Sequence, residues 1–143
     1  MNELMTNPAF KAYALSIVVL AFNLLFLGGF TAVQRGRNKA LANPEDPGYV
    51  EQTHENPKVA RALRAHRNAL ENFVPFLSVG LVYVLTGATA RGAMIYFTVY
   101  TVARLLHSVV YLLGKQPWRT LFFAVGALAT IGMMVQVCIK LAA

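Results

Sequence analysis

Ionisable and polar side chains recur at helical spacing in two short stretches of this sequence. In the run Arg64-Ala-His-Arg-Asn-Ala-Leu-Glu-Asn72, the residues Arg64, Arg67, Asn68 and Glu71 stand at i, i+3, i+4 and i+7, a spacing that places four side chains on one face of an α-helix. Further along, Arg104, His107 and Tyr111 repeat the pattern at i, i+3 and i+7, and Arg119 with Thr120 follows a Gly-Lys-Gln-Pro turn. Together with Arg35, these residues would line a strongly cationic cavity with one carboxylate, Glu71, set among the arginines. Such a cavity suits a small ligand with two carboxylates and one ammonium group. Guanidinium forks clamp carboxylates bidentately, and Glu71 takes the ammonium.

Each residue also has a plainer account. Interhelical salt bridges and interfacial arginines snorkelling to lipid headgroups explain a lone arginine as well as a ligand does. His107 alone reads as a hydrogen-bonded packing residue, and His54 and His66 as loop and interface residues. Tyr111 and Trp118 stand near helix ends, where aromatic anchors collect. Asn23 reads as polar glue between helices. Metal chemistry finds no support, because the histidines lack ligand spacing and Cys138 is the single cysteine. Nor is there a Ser-His-Asp constellation or a phosphate-cradling glycine loop, so a nucleophile would have to arrive with the ligand.

The elements that carry these residues follow from the composition. The chain has 143 residues, of which 57% are hydrophobic and 13% charged, with a net charge of +7 and a mean hydropathy of +0.50. Soluble domains carry roughly 25% charged residues, so a soluble globule, a disordered tail and a disulfide-stapled module are all excluded. Six of the thirteen Lys and Arg fall between Arg35 and Arg64, a clustering that speaks for membrane orientation over nucleic-acid binding. About 20 apolar residues cross a bilayer core as a helix. Stretches 12–33, 72–90 and 120–139 carry no charge, and 92–113 carries only Arg104 and His107.

The expected fold is all-α: one domain over 1–143, an integral-membrane bundle of four helices at about 10–34, 60–88, 92–114 and 118–141. The first span is longer than a signal-peptide core and lacks its cleavage pattern, so it is read as retained. Basic residues gather in the connection at about 35–59 and in the turn at 114–117. The positive-inside rule puts both in the cytosol, with the termini on the other side. Intramembrane ionisable groups cost roughly 2.5–3.5 kcal/mol each on insertion scales, so the two polar stripes need a partner, a cavity or a function. Pro75 withholds an N–H from the Glu71 carbonyl, predicting a kink and a spare acceptor there.

At this point the sequence resembles a known family. Ala42-Asn-Pro-Glu-Asp46, the run 64–72, Pro75-Phe76, Arg104-Leu-Leu-His107-Ser-Val-Val-Tyr111 and Pro117-Trp-Arg119-Thr-Leu-Phe-Phe123 are similar to the signature of the MAPEG family, the membrane-associated proteins of eicosanoid and glutathione metabolism. The likeness covers essentially the whole chain. It implies a four-helix bundle that assembles as a homotrimer, in the bacterial inner membrane or the endoplasmic reticulum, with glutathione sites between neighbouring subunits that face the cytosol. Glutathione has two carboxylates and one ammonium, the ligand class the cationic cavity calls for. Carried over by position, Arg35, Arg67, Asn68, Glu71, Arg104, His107, Tyr111, Arg119 and Phe123 are implied as glutathione-binding. The catalytic set is Arg119, which would stabilise the thiolate, with Thr120 as a hydroxyl donor and Asp46 as an acid that pairs with Arg119 in the prostaglandin synthase branch.

The resemblance implies a glutathione transferase acting on lipophilic electrophiles, with glutathione-dependent peroxidase activity on hydroperoxides. Two departures bear on the branch. Phe123 stands where prostaglandin E synthases have tyrosine and Ala127 where they have glutamine; Phe122-Phe123 and Gly126 look more like the microsomal glutathione transferase branch. The Asp46 and Arg119 pair points weakly to the synthases. Three alternatives stay open: isomerisation of a lipid endoperoxide, a non-enzymatic lipid-binding scaffold of the same fold, and a small exporter centred on Glu71.

Overall fold

In the computed structural model, residues 2–51 and 54–143 are described. They form five helices: α1 (Asn2–Thr6), α2 (Pro8–Arg37), α3 (Pro57–Leu85), α4 (Ala90–Leu113) and α5 (Trp118–Ala142). Four are long and apolar enough to cross a membrane, as the charge-free stretches predict. At 1.5 Å per residue, even the 24 residues of α4 span about 36 Å, more than a hydrocarbon core of about 30 Å.

Local chemistry sets the helix ends. Asn7 and Asn56 cap α2 and α3, each side-chain oxygen accepting from the backbone N–H two and three residues on, and a proline follows each cap at the first helical position. This cap-proline pair starts α3 at Pro57, three residues before the apolar pattern begins. α2 likewise runs on to Arg37, because arginine is a good helix former and a cation in the last turn complements the helix dipole. Gly87 (φ 80°) follows the end of α3 and Gly114 (φ 68°) ends α4, both in the left-handed region that glycine adopts without strain. The short α1, which apolar periodicity does not announce, packs on α2.

The bundle is built differently at its two ends. At the end of the termini, Tyr13 of α2, Phe76 and Tyr83 of α3, Phe97 and Tyr100 of α4 and Met133 of α5 form one buried cluster. Phe76 and Tyr100 stack with ring centres 3.7 Å apart, and Phe97 meets Phe76 edge-on at 5.8 Å. Gly80 makes room for this aromatic packing, since a Cβ there would lie 3.1 Å from both Phe97 and Tyr13. Toward the end with the long loop, the buried cluster shrinks to Leu27, Ala65 and Ala69, and polar side chains take over. Large apolar residues such as Phe22 (67% exposed) and Leu25 (72% exposed) point outward. In water this surface would be a liability, whereas in a bilayer it is the solvated face.

Candidate functional site

The polar interior of the loop end is organised by Arg104 on α4, which is only 3% exposed. Its Nη2 donates to Asn68 Oδ1 at 2.9 Å and to the Asn68 carbonyl at 3.1 Å, joining α4 to α3 by two hydrogen bonds from a charged donor. The Asn72 side chain donates to the same Asn68 carbonyl at 2.9 Å, and Tyr100 Oη donates to the Asn72 carbonyl at 2.7 Å. On the other side, Ser108 Oγ donates to the Arg104 carbonyl at 3.0 Å and accepts from Asn23 Nδ2 of α2 at 2.9 Å. The result is one polar chain across α2, α3 and α4. Asn23 thus holds helices together, as its plain reading had it, while Tyr100, Asn72 and Ser108 were not singled out from sequence. Their signal was there: each lies four residues from Arg104 or Asn68.

α3 runs unbroken through Pro75, and the incoming donors reach Asn68 and Asn72. Among the described residues no side-chain donor reaches the Glu71 carbonyl, where the spare acceptor was expected. Asn68 and Asn72, one turn apart, are the carbonyls that receive donors from α4.

One turn after Arg104, His107 is buried (3% exposed) between two rings, with Tyr111 edge-on at 5.4 Å and Phe123 of α5 tilted at 6.1 Å. The guanidinium of Arg119 lies over the Tyr111 ring, 5.0 Å from its centre, within reach of a cation–π attraction. Arg119 stands in the first turn of α5, whose N-terminus has no side-chain cap. The positive end of that helix therefore adds to the guanidinium charge. Thr120 Oγ1, next in sequence, donates to Gln116 Oε1 at 3.1 Å. Tyr111, Arg119, His107 and Phe123 thus form one α4–α5 cluster, and Arg104 of α4, bonded to Asn68 of α3, adjoins it.

The remaining candidates lie outside this cluster in the single chain. The stripe on α3 divides: Asn68 turns inward to Arg104, while Arg67 and Glu71 are exposed and pair with each other, Nε to Oε1, at 2.9 Å. Arg64 is exposed and faces Glu55 at 3.8 Å. Four residues at i, i+3, i+4 and i+7 cover a wide arc of helix surface, and α4 meets only its Asn68 edge. Among the described residues, no ion pair joins Arg35 or Asp46 to the cluster. Asp46 Oδ2 instead accepts from the Asn43 backbone N–H at 3.4 Å, within its own loop. Among the described residues no group of three or more His, Cys, Asp or Glu could hold a metal.

The model of the MAPEG family matches residues 13–139, from α2 to the last turns of α5. The chain belongs to the MAPEG family. Its MAPEG relatives include microsomal glutathione S-transferase 1 of Rattus norvegicus, 39% identical over 141 residues, which covers 93% of this chain and 91% of the relative. The Homo sapiens protein of that name is 33% identical over the same shares of both chains. Prostaglandin E synthase of Bos taurus is 36% identical over 140 residues, 94% of this chain and 91% of the relative. Two activities thus appear among MAPEG relatives at nearly equal identity.

Proposed function

We propose that this integral-membrane MAPEG protein is a glutathione transferase, which binds glutathione at the loop end of the bundle, activates its thiol and conjugates the sulfur to lipophilic electrophiles drawn from the bilayer. The observation that carries the reading is the Arg119 guanidinium, held over Tyr111 at the uncapped start of α5. A free thiol has a pKa of about 8.5, and a fixed cation beside it favours the thiolate; each unit of lowering corresponds to about 1.4 kcal/mol. When bound, glutathione supplies the thiolate as nucleophile. Arg119 holds the negative charge on sulfur, and the Thr120 hydroxyl, now bonded to Gln116, re-aims its one proton to the same atom. With an aryl halide, the carbon–sulfur bond forms as the carbon–halogen bond breaks and halide leaves. Acting on a hydroperoxide, the same site would oxidise two thiols to a disulfide and reduce the peroxide to an alcohol and water.

The rest of the binding set fits an assembly. Arg67 and Glu71 face outward as an exposed pair, and Arg35 and Asp46 also stand apart from the cluster. In a homotrimer, each neighbour would bring these groups to the Arg104, His107, Tyr111, Arg119 and Phe123 side of the next subunit. Glu71 would take the ammonium and the arginines the carboxylates. Basic residues in the long loop and in the turn 114–117 favour a cytosolic site, where glutathione is plentiful, in the bacterial inner membrane or endoplasmic reticulum.

A second reading, isomerisation of a lipid endoperoxide, is favoured by the 36% identity to prostaglandin E synthase and by Asp46. Phe123 weighs against it, because a phenyl ring offers glutathione no hydroxyl. The test is glutathione titration of the purified protein, followed by ultraviolet difference absorbance, and then addition of an aryl halide. Consumption of a saturable thiolate band supports conjugation. Binding without conjugation, with endoperoxide turnover lost on Asp46→Asn, supports isomerisation.

A further inference from the structure

A groove lies away from the α4–α5 cluster, where the end of α2, the start of α3 and the end of α4 meet. It encloses about 410 Å³ and is lined by Phe30, Gln34, Lys58, Arg61, Leu112 and Leu113, among others. Its chemistry is two-sided. Lys58 and Arg61 stand one turn apart on α3 and are exposed, and among the described residues neither side chain has an ion-pair or hydrogen-bond partner. The Arg61 guanidinium lies against Gly114, in space that a Cβ at that position would claim unless the arginine moved. This contact places the cation at the groove. Leu112 and Leu113 in the last turn of α4, with Phe30 two turns inside the end of α2, supply an apolar wall. The start of α3, with its positive dipole end, opens onto the same space.

We propose that this groove binds one anionic phospholipid, with its phosphate held by Lys58 and Arg61 and an acyl chain laid along Phe30, Leu112 and Leu113. Three observations select this occupant. Two cations with no acid between them call for an anion. The groove sits at the ends of membrane-spanning helices, at headgroup depth, where basic pockets between helices recognise anionic headgroups. The apolar wall reaches from the last turn of α4 to Phe30, two turns inside α2, which suits a chain-bearing anion better than a free one. The site lies within one chain and uses none of the residues assigned to glutathione, so it stands or falls separately from the transferase reading.

Native mass spectrometry of the detergent-solubilised full chain, with equimolar phosphatidylglycerol and phosphatidylcholine, tests the proposal. The expected result is selective retention of phosphatidylglycerol, weakened about fivefold by Lys58→Gln and about fivefold again by adding Arg61→Gln, the scale of one basic residue near an anionic surface. Lys115→Gln, which removes a charge at the same end outside the groove, should leave retention unchanged. Because Arg61→Gln also alters packing at Gly114, a photoactivatable phosphatidylglycerol on the unaltered protein gives an independent reading. Crosslinks at Phe30, Leu112 or Leu113 support the site. Equal retention of both lipids, equal loss on Lys115→Gln, crosslinks spread along the helices, or displacement by inorganic phosphate at concentrations that leave bulk lipid bound would each overturn it.

Discussion

Arg104 on α4 and Asn68 on α3 are joined twice, through the Asn68 side-chain oxygen at 2.9 Å and its backbone carbonyl at 3.1 Å. A buried guanidinium without a carboxylate partner thus obtains its acceptors from an amide. The choice has a physical consequence for the site. Arg104 keeps its full positive charge, unneutralised by a neighbouring acid, while its position is locked one turn from His107.

Removing this lock has a graded cost. Asn68→Ala leaves Arg104 one acceptor, the backbone carbonyl, and should lower stability by about 1.5–3 kcal/mol, the range for hydrogen bonds to a charged group. Asn23→Ala, which breaks a neutral bond to Ser108, should cost about 0.6 kcal/mol, the average for interhelical bonds in membranes. Unfolding in mixed micelles, by titration with a denaturing detergent, measures both. An Asn23 effect equal to or larger than that of Asn68 would contradict the ranking.

Glu71 offers a separation of stability from binding. Its pair with Arg67 is exposed, with side-chain exposures of 56% and 78%, and exposed i,i+4 pairs contribute only about 0.3–0.5 kcal/mol. Glu71→Gln should therefore leave unfolding nearly unchanged. If the carboxylate takes the ammonium of glutathione, the same substitution should weaken glutathione binding by tenfold or more, read by isothermal titration. Unaltered affinity would remove Glu71 from the ligand set.

Gly114 closes α4 at φ 68° with the Arg61 guanidinium against it. Gly114→Ala should destabilise by about 1–2 kcal/mol from the left-handed backbone alone, and Arg61 must also move. Combining it with Arg61→Ala should recover only the packing part. Full recovery would mean that the backbone conformation costs nothing.

The four long helices were legible because three 12–33-type stretches without charge and one with only Arg104 and His107 have no other stable arrangement in lipid. Their ends were less so. Arg35 and Arg37 extend α2 because polar helix formers do not interrupt a helix, although they end an apolar pattern. Asn56-Pro57 marks the start of α3 by capping chemistry, which hydropathy does not register. The residue types of the polar cluster were visible by spacing, but the partner of each was not. Spacing puts Arg67 and Asn68 on one broad face, and only contact with α4 decides that Asn68 turns inward while Arg67 stays out. Tyr111 under Arg119 is similar: two helices and a turn separate their roles from their sequence positions.

The central claim is that Arg119 turns a bound thiol into a thiolate. Its most direct test is the ultraviolet difference spectrum of the purified protein titrated with glutathione, compared between the unaltered chain and Arg119→Ala, with binding followed in parallel by calorimetry. We predict that the unaltered protein develops a saturable thiolate band, and that Arg119→Ala still binds glutathione while the band disappears. A band of full amplitude in Arg119→Ala would contradict the account and assign thiol activation to another group.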